Sequence, residues 1–243
     1  MKNDKHVLAI DAGNTSIKVG WFINGQLISV KRFAFKKLKE IETWLDSVPD
    51  YDSILSSVLS DEDTSVLISK LDHCTLVTSK TEIPIVLDYK TKGTLGIDRI
   101  CNAVYANAYS KTEYAVTIDI GTCVKFDLTG PNNHYLGGSI SPGINLRYKS
   151  LNDYTGKLPL LSNKSTTNLV GTDTNSCIHS GVMNGLRAEL TLMMDEYREQ
   201  FQGLTFFMTG GDATNFDLVS KNDIFADENL TLKGLYEIYK YNA

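Results

Sequence analysis

Eight consecutive residues, Asp11-Ala12-Gly13-Asn14-Thr15-Ser16-Ile17-Lys18, gather a carboxylate, a glycine, short polar side chains and a lysine directly behind the apolar run Val7 to Ile10. Backbone N–H groups at such a turn can approach phosphate oxygens closely, because glycine removes the side-chain bulk. Asp11 could hold a hydrated magnesium ion, which takes one or two carboxylates and completes its shell with water and substrate phosphates. A similar set recurs at Asp119-Ile120-Gly121-Thr122-Cys123-Val124-Lys125, again behind an apolar run. A third glycine turn, Thr209-Gly210-Gly211-Asp212, follows Phe206 to Met208, and its backbone could lie against a flat base or ribose. No G-x-x-x-x-G-K-[ST] loop is present, and no G-x-G-x-x-G follows a strand, so neither a Walker-type site nor a dinucleotide fold is expected.

The elements that must hold these turns can be read from hydrophobic period. Strands are expected over His6 to Ala12, Thr15 to Phe22 and Gln26 to Phe33, with Asn24-Gly25 joining the last two as a hairpin turn. A helix over Lys36 to Asp46, a strand over Asp52 to Val58, a helix over Glu62 to Leu71 and a strand over Thr75 to Thr78 follow. Tyr89 to Gly96 reads as a loop and Ile97 to Ser110 as a helix. The pattern then restarts with strands over Tyr114 to Asp119, Cys123 to Leu128 and Tyr135 to Ile140. AIDAGNTSIKVGWFINGQL and TIDIGTCVKFDLTGPNNHYLGG therefore share one plan, strand, Asp-x-Gly turn, strand, polar turn, strand, in two copies about 108 residues apart. A long helix over Asn175 to Gln202 carries Gly181 and Gly185 four apart, a small-residue face suited to internal packing or to a subunit interface alike. Strands over Leu204 to Met208 and Ile224 to Phe225 and a helix from Glu228 complete the chain, with the boundary between halves near Ser110 to Glu113.

At 243 residues, 42% hydrophobic and 22% charged, the chain is long enough and apolar enough for a substantial core. A net charge of -5 argues against a protein that coats nucleic acid. The polar start MKNDKHVLAID resembles neither a signal peptide nor an anchor, and no apolar run approaches the roughly 20 residues of a membrane span, so a cytoplasmic location is expected. Cys74, Cys101, Cys123 and Cys177 lie far apart and should be reduced and mostly buried, with no zinc pattern. Cys123 draws notice because it stands beside the second glycine turn.

Taken in order, DAGNTSIKVG, the GIDR of Gly96 to Arg99, DIGTCVKFD, the GGSISPG of Gly137 to Gly143, the GTDT of Gly171 to Thr174 and MTGGDA resemble the acetate and sugar kinase, Hsp70 and actin superfamily, and within it the type III pantothenate kinases. The likeness extends from Ile10 to Ala213. It implies an α/β fold of two duplicated actin-like (ribonuclease H-like) halves, residues 1–112 and 113–243, with the nucleotide in a cleft between them. It implies transfer of the ATP γ-phosphate to pantothenate, giving 4'-phosphopantothenate in the first step of coenzyme A biosynthesis. Asp11, Ala12, Gly13, Asn14, Thr15, Ser16, Ile17 and Lys18 would form the ATP phosphate loop, with Mg²⁺ at Asp11 and Thr122 also touching the nucleotide. Tyr89, Gly96, Ile97, Asp98 and Arg99 would contact pantothenate, with Asp98 as catalytic base and Arg99 clamping the acceptor's carboxylate. Asp119 would help bind a monovalent cation, K⁺ or NH₄⁺, and Thr174 would reach the acceptor from the partner subunit of a homodimer.

Each of these residues also has an ordinary structural reading. Asp98 suits a helix start whatever its chemistry, and Thr174 could be a helix N-cap. The chain departs from the family pattern at the second turn, where Cys123 and Lys125 stand in place of alanine and threonine. Lys125 would point toward the cleft or toward solvent, depending on the alternation. A sugar kinase on the same fold would need a different acceptor motif, and a non-enzymatic regulator, as relatives called Bvg accessory factors were first described, would be expected to lose Asp98 or the phosphate turns.

Overall fold

Val7, Leu8, Ala9 and Ile10 are each no more than 1% exposed, so β1 (His6–Ala12) is apolar on both faces and must lie inside a sheet. In the computed structural model, which describes residues 4–13, 16–34, 38–164, 167–216 and 223–243, it does. Asn14 and Thr15, both expected at the phosphate turn, lie outside the described residues.

β1 pairs antiparallel with β2 (Ser16–Ile23), which pairs antiparallel with β3 (Gln26–Ala34). On its other side β1 runs parallel to β4 (Tyr51–Ser57), and β4 runs parallel to β5 (Cys74–Leu76), giving the order β3-β2-β1-β4-β5. Asn24 (φ 50°) and Gly25 (φ 89°) are both left-handed, which is the backbone that an Asn-Gly hairpin turn requires. Helices α1 (Leu38–Leu45) and α2 (Asp61–Ile68) supply Ile41, Leu45 and Leu67 to a core shared with Leu8, Ile10 and Ala12. The two-residue strand β6 (Val86–Leu87) precedes α3 (Ile97–Tyr109).

The second unit repeats this plan. β7 (Tyr114–Ile120) pairs antiparallel with β8 (Cys123–Gly130), and β8 with β9 (His134–Pro142). β10 (Leu204–Thr209) runs parallel to β7, and β11 (Ile224–Ala226) parallel to β10, so these strands follow the order β11-β10-β7-β8-β9. Strand for strand the directions match those of the first unit. β1 and β7 even share one burial pattern, and a register shift falls at Trp21/Phe22 in β2 and at Leu128/Thr129 in β8, equivalent points of the two copies. The duplication read from two hairpins thus extends to the parallel strands beside them. Helix α4 (Ile144–Asp153) and the long α5 (Thr174–Gln200) cover the face of this sheet formed by Val116, Ile118, Ile120, Val124 and Phe126, with Ile178, Met183, Leu186 and Leu190 of α5 on the contact side.

The structure departs from the sequence-based expectations at several points. The compact units are Met1–Ala108 with Asn229–Ala243, and Tyr109–Glu228, so the last helix α6 (Leu230–Asn242) returns to the first unit instead of ending the second. It does so because its apolar stripe has a mate there: Phe22 stacks on Tyr236 with centroids 4.3 Å apart, Thr231 donates to Asn102 at 2.9 Å, and Tyr239 donates to Asp52. Helix α4 was not expected at all. Of the four free cysteines only Cys101 is buried; Cys177 is exposed on the first turn of α5.

Candidate active site

The first glycine turn is pinned from both sides. Gly13 N–H donates to the Ser16 carbonyl at 3.0 Å, and the Ala12 carbonyl accepts from Val58 N–H at 3.0 Å. Ala12 and Ile17 face each other across β1 and β2, and both are fully buried, so they hold the turn from within the core. Asp11 and Lys18 face each other one step further back, half-buried, with their side chains on the opposite face of the sheet from that apolar pair.

Asp98 belongs to the same unit. It sits in the first turn of α3, where a carboxylate is favoured by the helix dipole, and its Oδ1 accepts the Arg99 N–H at 2.9 Å. A Cβ at Gly96 would fall 2.5 Å from that same Oδ1, so the glycine leaves the space into which the Asp98 carboxylate folds. Gly96→Ala should therefore push the carboxylate aside while leaving the backbone in place. The expected result is a fall in kcat of about tenfold or more with little change in melting temperature, because misplacing a reacting group is costly to the reaction while moving one half-buried side chain costs the fold little. Unchanged kcat would show that this carboxylate position is not the working one.

Cys101, one turn along α3, ties the two carboxylates together. Its thiol is pushed well above the ordinary range, first by complete burial and then by the negative charges of Asp11 and Asp98. The strand-end carboxylate and the helix-start carboxylate are thus both within electrostatic reach of one buried atom. Packing holds this arrangement: a Cβ at Gly234 of α6 would lie 1.9 Å from the Cys101 carbonyl oxygen, so α6 presses on α3 at backbone distance. Arg99 is 5% exposed and Tyr89 half-buried, so neither is a solvated surface group.

The second glycine turn is built more tightly. Gly121 N–H donates to the Cys123 carbonyl at 3.1 Å, and Gly143 N–H, at the N-cap of α4, donates to the Thr122 carbonyl at 3.0 Å. A Cβ on Gly143 would meet the Gly121 oxygen at 2.1 Å, and one on Gly210 the Ile120 oxygen at 2.3 Å. Asp212 N–H closes the far side on the same Ile120 oxygen at 2.9 Å, and burial pushes the Asp212 carboxyl up. The turns of GTC, SPG and TGGD therefore meet at backbone distance, with Thr122 exposed among them. Asp119 and Lys125 lie directly opposite on β7 and β8, and Lys125 Nζ is 2.7 Å from Asp119 Oδ2. Sequence alone leaves the direction of Lys125 open, because Lys18 follows Asp11 by seven residues and Lys125 follows Asp119 by six; the strand pairing makes the two pairs equivalent.

Thr174 is the first residue of α5, exposed, and not its cap. The cap is Asp173, which accepts from Ser176 N–H at 3.0 Å while Ser176 Oγ accepts from Asp173 N–H, and the Ser176 N–H and hydroxyl donated to the Asp173 carboxyl hold it below its ordinary range. The D-x-x-S spacing of Asp173 and Ser176 is the sequence signal for this cap. Gly171 packs on the same turn, since a Cβ there would come within 2.4 Å of the Cys177 nitrogen.

Two units of identical strand order, each with an antiparallel hairpin that opens on an Asp-x-Gly turn, define the actin-like kinase and ATPase class. The glucomannokinase of Arthrobacter sp. strain KM shares this fold over 98% of this chain and 99% of that one, with a TM-score of 0.51 at 11% identity. A crystal structure described as a Baf family transcriptional activator from Campylobacter jejuni matches with a TM-score of 0.63 at 19% identity, over 97% and 98% of the two chains. Residues 7–196 match the family model of type III pantothenate kinase. The type III pantothenate kinase of Flavobacterium johnsoniae is 36% identical over 238 residues, which cover 97% of this chain and 98% of that protein. The chain belongs to the type III pantothenate kinase family, and it is an ATP-dependent kinase.

Proposed function

We propose that this chain transfers the γ-phosphate of ATP to pantothenate, giving 4'-phosphopantothenate in the first step of coenzyme A biosynthesis, with Asp98 as the base. The observation that carries the assignment of roles is the seat of Asp98 at the head of α3, where Arg99 N–H donates to its Oδ1 at 2.9 Å and Gly96 leaves the carboxylate its space. Asp11, near the end of β1 in the same unit, supplies a carboxylate suited to the phosphate side. Phosphoryl transfer asks mainly for positioning and charge neutralisation, since its transition state is loose. Asp98 orients the acceptor hydroxyl and takes its proton as the new oxygen–phosphorus bond forms and the bond to the departing ADP breaks. Arg99 and Tyr89 hold the acceptor, Arg99 by a two-pronged grip on its carboxylate.

The turn from Asp11 to Lys18 supports the triphosphate, with Asn14, Thr15 and Ser16 as short donors, and Thr122 supports it from the second turn. ATP comes with a divalent metal, which when bound neutralises and orders the phosphates. Asp11 fits that ion, being a half-buried carboxylate at a strand end with a glycine turn beside it to admit water and phosphate. Asp119 fits a free monovalent ion poorly, because its carboxylate is already engaged by Lys125.

A homodimer belongs to the same reading. On α5, Thr174, Cys177, Gly181, Gly185, Ala188 and Leu192 form one exposed stripe, and a Cβ on either glycine would meet nothing within 4 Å. Internal packing therefore does not account for the two glycines, whereas a second helix could approach them closely. Thr174, at the head of that stripe, then reaches the neighbour's acceptor. Sedimentation should show a dimer at assay concentrations; a fully active monomer would remove Thr174 from the acceptor site. Among the described residues no helix is long and apolar enough to cross a membrane. A cytoplasmic location and no role on nucleic acid complete the proposal. The deciding assay is ADP release with and without pantothenate: release should depend on pantothenate, and release that is indifferent to it, or that responds to a hexose instead, would sink the assignment.

A further inference from the structure

The family resemblance calls for a free potassium-like ion at Asp119, and the groups gathered there do not suit one. Lys125 Nζ lies 2.7 Å from Asp119 Oδ2, with the two side chains 15% and 14% exposed. Strand register enforces the contact, since the two residues are directly opposite in the antiparallel pair of β7 and β8. Alternation puts Asp127, two residues along β8, on the same face as Lys125. Asp127 is 1% exposed and accepts from the Tyr135 hydroxyl at 2.6 Å. Lys125 is thus a cation placed on a face with two carboxylates, one opposite it and one beside it. An ammonium in contact with the Asp119 carboxylate satisfies the charge that would attract a free ion, and it repels a second cation brought to the same oxygens. Potassium, which needs several oxygen ligands, would have to displace a tethered group that needs only one.

We propose that Lys125 is a built-in cation, its ammonium filling at Asp119 the place of a free monovalent ion, so that the enzyme turns over without potassium or ammonium. The inference rests on the kinase reading above, because turnover is one of its readouts. It makes Lys125 a positioning residue that acts through Asp119 on the second glycine turn.

The test measures pantothenate-dependent ADP release at matched ionic strength with potassium, sodium or choline as the sole monovalent cation. Wild-type turnover should agree within about threefold across the three salts, and any larger loss on removing potassium overturns the proposal. Lys125→Thr removes the ammonium and leaves the two carboxylates, so it should lose about tenfold or more in choline and regain activity in potassium. A folded Lys125→Thr that is as active as wild type in choline also overturns it. Should that variant not fold, the wild-type melting temperature in the same salts decides without any substrate: equal values are expected, and a rise specific to potassium would show an ion site that Lys125 does not fill. If pantothenate elicits no ADP release in any salt, it is the kinase assignment that fails, and the melting comparison still judges the cation.

Discussion

Asp98→Asn should lower kcat by about 10²-fold or more while leaving ATP affinity and melting temperature near their wild-type values. The amide keeps the shape of the carboxylate and can still accept the Arg99 N–H through its oxygen, the 2.9 Å bond that fixes the side chain at the head of α3. What it loses is the capacity to take a proton. A carboxylate in a first helical turn is worth only about 0.3–1 kcal/mol through the helix dipole. A hundredfold loss of rate corresponds to about 2.7 kcal/mol in the barrier, so the two effects separate cleanly. Steady-state kinetics beside a thermal melt distinguish them. A variant that melts lower yet turns over normally would make Asp98 a helix-start residue and nothing more.

The second large effect is expected at Gly210. This residue adopts φ 100°, and a Cβ on it would stand 2.3 Å from the Ile120 oxygen and 2.5 Å from that residue's carbonyl carbon and nitrogen. These are backbone atoms of a central strand, so they cannot give way. Gly210→Ala should cost about 3 kcal/mol or more from backbone strain and overlap together. For a chain of this length, that corresponds to a fall of roughly 6–12 °C in melting temperature. Its neighbour supplies the control: a Cβ on Gly211 would meet nothing within 4 Å, and Gly211→Ala should stay within about 0.5 kcal/mol of wild type. Added ADP should raise the melting temperature of the Gly211 variant and have little effect on the Gly210 variant, if the TGGD turn lies against the nucleotide. Equal stabilisation of both would move that turn away from the ligand.

Local chemistry made much of this protein legible before any fold was known. The Asn24-Gly25 pair demanded a hairpin, the apolar runs before Asp11 and Asp119 demanded buried strands, and the likeness of the two hairpins announced the duplication. Helix α4 escaped because INLRYKSLND buries only Ile144 and Tyr148, too thin a stripe to show a period, and because Pro142-Gly143 reads as a loop. The return of α6 to the first unit was invisible for a different reason. Its apolar face suits either sheet, and only the shape of the surface near Phe22, Asn102 and Cys101 decides between them.

The site divides in the same way. The amino-acid sequence by itself determined which residue types stand at each turn, the order of the turns and therefore the family, since glycine freedom and carboxylate chemistry are properties of single residues and their neighbours. Tertiary structure decided what those residues face. Alternation along β8 states only that Lys125 and Val124 point opposite ways. The pairing of β8 with β7, which depends on packing over the whole sheet, put the Lys125 ammonium against Asp119 and not in solvent, because a strand's register is set by its neighbours across space.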